Sequence, residues 1–116
     1  MSSTVARSTT TRMLTVEQGP HDGLLVPLTK PVTRIGRSLQ ADLMFEEPTV
    51  SRRHALIVVR DDEALLLDDR SMNGTWLNGE RVEEAALHDG DVIKVGGALI
   101  RYVERDNAAS SPGGDG

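Results

Sequence analysis

Residues 54–69 read HALIVVRDDEALLLDD. Two runs of Leu, Ile, Val and Ala flank the charged pair Asp61-Asp62, and each run is too short for a helix. The stretch predicts two short strands, 54–60 and 64–69, meeting at a turn. The same pattern continues outward. Towards the N-terminus it predicts strands at 42–45 (DLMF), 32–36 (VTRIG), 23–28 (GLLVPL) and 13–18 (MLTVEQ); towards the C-terminus, at 75–77 (TWL), 80–82, 91–95 (DVIKV) and 98–104 (ALIRYVE). Asn73-Gly74, Asn78-Gly79, Asp89-Gly90 and Gly96-Gly97 punctuate them as turn dipeptides. Ten short strands with no long 3.6-residue periodicity predict an all-β sandwich. In such a fold the chemistry sits on the loops at one end.

Length and charge narrow the function. At 116 residues the chain is one small domain. Eighteen acids against 13 bases give a net charge of −5, and aromatic content is 3%, which together disfavour a protein that neutralises a nucleic-acid backbone and stacks its bases. With no cysteine there is neither a disulfide nor a thiolate ligand, and the three histidines show no ligand spacing, so no metal site or cofactor is expected. No apolar run reaches the length of a membrane span, and the first 16 residues lack the apolar stretch of a secretory signal. The expectation is a soluble cytoplasmic protein without membrane or nucleic-acid partners. Residues 1–12, rich in Ser and Thr, and 105–116, rich in Ser, Gly and Asp, are expected to be disordered tails around a body of 13–104. Without the tails' three Arg and two Asp, the body holds 10 bases and 16 acids, so any anion site must be a local cluster.

Enzymatic readings fare poorly. Ser51 and His54 stand at an odd spacing that points side chains to opposite faces of an extended chain, with no G-x-S-x-G turn to expose the serine. Adjacent carboxylates, Asp61-Asp62 and Asp68-Asp69, diverge on a strand and suit a hairpin tip or solvated edge better than a cation. Gly90, Gly96 and Gly97 fit neither phosphate-binding glycine motif. What remains is Gly36-Arg37-Ser38 after one strand, Ser51-Arg52-Arg53-His54 before another, and Ser71-Met72-Asn73-Gly74-Thr75 with Asn78-Gly79 around a third. Guanidinium, hydroxyl and amide donors from three loops, converging on one rim, would make a site for a phosphoryl group.

In order and spacing these motifs resemble the forkhead-associated (FHA) domain: G-R, then S-x-x-H, then N-G-T-x-x-N-G, then G-D-x-I-x-x-G. Here they read Gly36-Arg37, Ser51 to His54, Asn73 to Gly79, and Gly90 to Gly96. The resemblance spans about residues 32–101 and implies a β-sandwich of two twisted, mostly antiparallel sheets with about 11 strands. It implies phosphothreonine-peptide binding without catalysis, in the manner of small single-domain bacterial FHA proteins downstream of Ser/Thr kinases. Carried over by position, Arg37 and Ser51 become phosphate donors, Arg52 a contact to phosphate or peptide, and Asn73 the holder of the peptide backbone. Ser38, Arg53 and Met72 become secondary contacts. Gly36, His54, Gly74, Thr75 and Asn78 become scaffold, with His54 tying the loops by hydrogen bonds. Met72 departs from the Ser or Thr common in relatives. Thr9, Thr10 and Thr11 are candidates for phosphorylation, with docking into the domain's own pocket as the consequence. The alternative is a phospho-independent regulator that inhibits an enzyme directly.

Overall fold

The structure, a computed structural model, describes residues 10–18 and 23–106. Eleven strands run in chain order: β1 (Thr10–Gln18), β2 (Leu25–Pro27), β3 (Val32–Gly36), β4 (Leu43–Met44), β5 (Ala55–Arg60), β6 (Glu63–Asp68), β7 (Thr75–Leu77), β8 (Glu80–Val82), β9 (Glu84–Ala86), β10 (Val92–Val95) and β11 (Ala98–Asp106). They form two sheets, ordered β2-β1-β11-β10-β7-β8 and β4-β3-β5-β6-β9. The β3–β4 pair is parallel, as Ile35↔Leu43; every other pair with a recorded register is antiparallel. This is the sandwich that the short, punctuated strands predict.

Alternation builds the core. Leu14 and Val16 of β1, Ala55 and Ile57 of β5, Ala64 and Leu66 of β6, Ile93 and Val95 of β10, and Ala98, Ile100 and Tyr102 of β11 point inward, and Ile35, Leu43 and Phe45 complete the layer. Their i, i+2 spacing places one apolar row per strand between the sheets. The stretch 54–69 folds as the β5–β6 hairpin with Arg60 opposite Glu63. Its two turn residues, Asp61 and Asp62, both have positive φ (52° and 62°), the geometry of the tight turn whose twist matches the strands. Asp61-Asp62 is therefore a hairpin tip.

Three boundaries differ from the sequence expectation. Thr10, Thr11 and Arg12, expected in a tail, begin β1, and Arg105 and Asp106 extend β11 past 104. The two strands pair as Thr10↔Asp106, Thr11↔Arg105 and Arg12↔Glu104, so ladder hydrogen bonds carry a polar sequence into the sheet where apolar content predicts none. Residues 1–9 and 107–116 lie outside the described residues. The third difference is β9, an edge strand of sequence EAA that pairs with β6 as Leu65↔Ala86. Two alanines and a glutamate carry little strand propensity, and the neighbouring strand supplies the order.

The sheets position one loop-bearing end. The 37–42, 45–54 and 69–74 connections and the Gly96-Gly97 turn lie there, while the Asp61-Asp62 tip marks the opposite end, where Arg12 Nη2 donates to the Asp62 carbonyl at 2.8 Å.

Candidate phosphate-binding site

The site begins as a backbone contact. After β3, the amides of Arg37 and Ser38 donate to the carbonyls of Ser51 (2.9 Å) and Arg52 (3.2 Å), and the His54 amide donates back to Ile35 (3.0 Å). The two loops approach so closely that a Cβ on Gly36 would stand 2.0 Å from the Arg52 carbonyl oxygen. Only glycine fits there.

This contact places the predicted ligands side by side. Arg37 Nε donates to the Val50 carbonyl at 2.9 Å, holding the guanidinium beside Ser51 and leaving both Nη groups without a protein partner among the described residues. The Ser51 hydroxyl oxygen accepts the Met72 amide at 2.9 Å. Its own proton has no acceptor among the described residues and remains available to donate. Arg52 is exposed and likewise unpaired. Arg53 is held in a two-pronged ion pair with Asp69, at 3.1 and 3.3 Å. Ser38 Oγ accepts the Gln40 amide at 3.0 Å. Met72 is 82% exposed.

His54 is wholly buried and links three segments. Its Nδ1 accepts the Ser51 amide at 3.0 Å, so the proton must sit on Nε2, which donates to the Gly74 carbonyl at 2.9 Å. The His54 carbonyl accepts the Asp69 amide at 2.9 Å. A neutral imidazole thus spans the 51–54 and 69–74 loops.

The 69–74 loop is organised by Asp68, which sequence reading set aside as one of an acidic pair. One carboxylate oxygen accepts the Thr75 hydroxyl (2.7 Å) and, closely, the Ser71 hydroxyl; the other accepts the Ser71 amide (3.3 Å). Ser71 Oγ in turn accepts the Gly74 amide at 2.9 Å. Burial works against the charged form of Asp68, but the hydrogen bonds from Ser71 and Thr75 outweigh it and hold the carboxyl below its ordinary range. Gly74 sits at φ +89°, beneath the Arg81 side chain.

Asn73 is exposed, and its Nδ2 donates to the Thr49 carbonyl at 3.0 Å, leaving Oδ1 unpaired among the described residues. Thr49 has no role in the motifs read from the sequence. Its hydroxyl donates to Glu47 Oε1 (2.6 Å) and accepts the Gly97 amide (3.1 Å), fastening this loop to the β10–β11 turn. At that turn Gly96, φ +57°, would bring a Cβ within 2.6 Å of Thr49 Oγ1. No local spacing announces a contact between residues 48 positions apart.

Two predicted groups lie elsewhere. Asn78 is not at the loop end: its Nδ2 donates to Asp91 Oδ1 (3.0 Å) and its Oδ1 accepts the Val92 amide (2.9 Å), pinning the β7–β8 turn to β10. It stands four residues past Gly74 along β7, about 13 Å at ~3.3 Å per residue. Thr10 and Thr11 lie in β1 eight and seven residues before Gln18, which borders a depression with Thr49, Asn73 and Gly96, so they stand about 26 and 23 Å from the site along the strand at ~3.3 Å per residue; Thr9 is outside the described residues.

Fold and loop end together define a β-sandwich that offers one arginine fork and one serine hydroxyl for an anion. Residues 33–96 match the FHA domain family, and the chain belongs to it. It is similar to the glycogen accumulation regulator GarA of Mycolicibacterium smegmatis, 38% identical over 84 residues that cover 72% of this chain and 53% of GarA. The oxoglutarate dehydrogenase inhibitor of Corynebacterium diphtheriae is 34% identical over 96 residues, covering 83% of this chain and 67% of the inhibitor. The chain thus spans about half the length of GarA. Among solved structures, an FHA domain from a study of phosphothreonine-dependent FHA interactions superposes with a TM-score of 0.75 at 35% identity, covering 80% of this chain and 95% of that one. The FhaA FHA domain, solved in complex with the intracellular domain of Rv3910, gives 0.73 at 36%, covering 78% and 98%.

Proposed function

We propose that this chain is a phosphothreonine-reading module without a catalytic step of its own, placed downstream of a Ser/Thr kinase. The observation that carries this reading is the pairing of Arg37 with Ser51. The Arg37 amide and Nε are spent on the carbonyls of Ser51 and Val50, so the guanidinium fork and the serine hydroxyl stand together with donors to spare. A phosphate has the oxygens to take both the fork and the hydroxyl. Arg52 adds charge at the rim, Asn73 offers Oδ1 to a peptide amide, and His54, Asp68 and Thr75 hold the loops that carry them. A solvated surface arginine would not have its Nε committed to a backbone carbonyl beside an unspent hydroxyl.

The relatives named as a glycogen accumulation regulator and an oxoglutarate dehydrogenase inhibitor favour a regulatory output in which a metabolic enzyme is the bound partner. Direct inhibition without phosphate remains the second reading, and it uses the same soluble module. Closure on the chain's own Thr10 or Thr11 would require the first turns of the β1–β11 ladder to unzip, because both are paired at the far end.

The test is a titration with a phosphothreonine peptide library beside its unphosphorylated copy. Trp76 is the only tryptophan and donates its Nε1 proton to the Asn73 carbonyl at 3.3 Å, so its fluorescence reports on the site. Phosphate-dependent binding supports the first reading. Equal binding of both libraries refutes it in favour of the second.

A further inference from the structure

The β5–β6 hairpin is apolar on both of its faces. Ala55 and Ile57 of β5 and Ala64 and Leu66 of β6 point into the core. The residues that alternate with them, Leu56, Val58, Leu65 and Leu67, are half-buried and lie outside the core cluster, so they stand on the outer face of the five-stranded sheet. Register gathers them into two rows, Leu56 opposite Leu67 and Val58 opposite Leu65. Val32 extends the second row on β3, and Ala86 extends it on β9. Strands apolar on both faces are the pattern of a sheet covered on both sides, yet among the described residues no third layer lies over this one.

Charge divides the same face in two. The β3–β5 half carries Arg34 and Arg60; the β6–β9 half carries Glu63 and Glu84. Arg34 lies in line with Leu56, Leu67 and Glu84, and Arg60 lies opposite Glu63. All four are exposed, and none makes an ion pair among the described residues. Arg34 does feel the Asp42 carboxylate, which is held directly by the Lys30 ammonium and the Arg34 backbone amide.

We infer that this face is an interface for a second copy of the chain, related by a two-fold axis that runs parallel to the strands between β5 and β6. That operation lays β5 of one protomer over β6 of the other. It sets Leu56 over Leu67, Val58 over Leu65, Arg60 over Glu63 and, at the edges, Arg34 over Glu84, with every contact made twice. A two-fold across the strands would lay the basic half on itself, which like charges penalise. The layout of charge thus selects a copy of this chain as the occupant and fixes how it sits. Strands of the two protomers stay aligned, as in other face-to-face sheet packings. Three inter-strand gaps of ~4.8 Å and four residues of ~3.3 Å give a patch of about 14 by 13 Å, small for an interface, so the dimer is weak, with Kd on the order of 100 μM. Because the axis follows the strands, both loop-bearing ends face the same way. On the phosphothreonine reading, which the interface itself does not need, the pair gains avidity for a target that presents two phosphates.

Sedimentation velocity of the full chain, from about 5 μM to about 1 mM, is the test, with thermal melts on the same samples to confirm the fold. The parent should pass from monomer to dimer across that range. Leu65→Gln, outside the core cluster, should weaken association at least about tenfold. Arg60→Glu and Glu63→Arg, both at exposed positions, each put like charges face to face twice and should stay monomeric alone. Mixed in equal amounts, the two variants should associate about as well as the parent, because each then meets only the opposite charge. A parent that is monomeric throughout, association indifferent to Leu65→Gln, single variants that dimerise like the parent, or a mixture that stays monomeric overturns the interface. None of these outcomes depends on phosphopeptide binding.

Discussion

Replacing His54 by alanine separates scaffold from ligand. The imidazole is wholly buried and makes two hydrogen bonds, accepting from the Ser51 amide and donating to the Gly74 carbonyl. Truncation strands both partners. The Gly74 carbonyl belongs to a buried residue and should cost about 2 kcal/mol, while the Ser51 amide lies nearer solvent and should cost about 1 kcal/mol, each within the range for an orphaned group. The void left by the ring adds to this, so a loss of at least about 3 kcal/mol is expected. For a domain of this size about 1 kcal/mol lowers Tm by ~4–8 °C, so the melt should fall by more than about 12 °C. His54→Asn should lie between the two, because its amide oxygen can still accept from Ser51 but its short side chain cannot span to Gly74. Thermal melts followed by circular dichroism, paired with phosphopeptide titration well below the lowered Tm, give both readouts. A His54→Ala variant that melts with the parent yet fails to bind would refute the scaffold role and put the ring in contact with the ligand.

Arg37→Ala should weaken phosphothreonine-peptide binding by about 2–5 kcal/mol while Tm drops only a few degrees, since the side chain makes one hydrogen bond to Val50; calorimetric titration and a melt on one sample check it. Gly36→Ala should fail to fold or lose all binding, because its methyl would lie 2.0 Å from the Arg52 carbonyl oxygen; a normal proton NMR spectrum with retained binding contradicts the close approach. Asp68 has a lowered pKa, so the order it gives the 69–74 loop is complete above its ordinary value of 3.8 and is lost as pH falls through the lower folded value. Asp68→Asn should lower stability at neutral pH and flatten the acid limb of the stability profile, which denaturant titrations across pH measure directly.

The parts of this fold that are legible in the sequence are those with local causes. Leu14 and Val16, Ala55 and Ile57, and Ile93 and Val95 alternate because one face of each strand is buried, and the alternation survives in the sequence. Gly36 and Asn73-Gly74 stand out because close approach and positive φ restrict the residue type. What was illegible has distant causes. Thr10 to Arg12 are strand because β11 lies alongside, and β9 exists because β6 leaves a ladder to pair with. Thr49 reaches Gly97 across 48 positions with nothing in its neighbourhood to mark it. Asn78 misled in the other direction: it is adjacent to the site residues in the motif, but β7 carries it away to Asp91 and Val92. Asp68 had a usable signal, a carboxylate three residues before a serine and seven before a threonine, hidden by its neighbour Asp69.

The pairing of Thr10 with Asp106 has an architectural consequence. Partners directly opposite in an antiparallel ladder have Cα atoms about 5 Å apart, so the folded body enters and leaves through one narrow doorway, at the pole away from the recognition loops. Such a body can be spliced into an exposed loop of an unrelated host with linkers of a few residues, because the gap it opens in the host chain is hardly wider than a hairpin. Held that way, the reading end faces outward whatever the host's shape, which makes the domain transplantable as a phosphate sensor head without redesign of its binding surface.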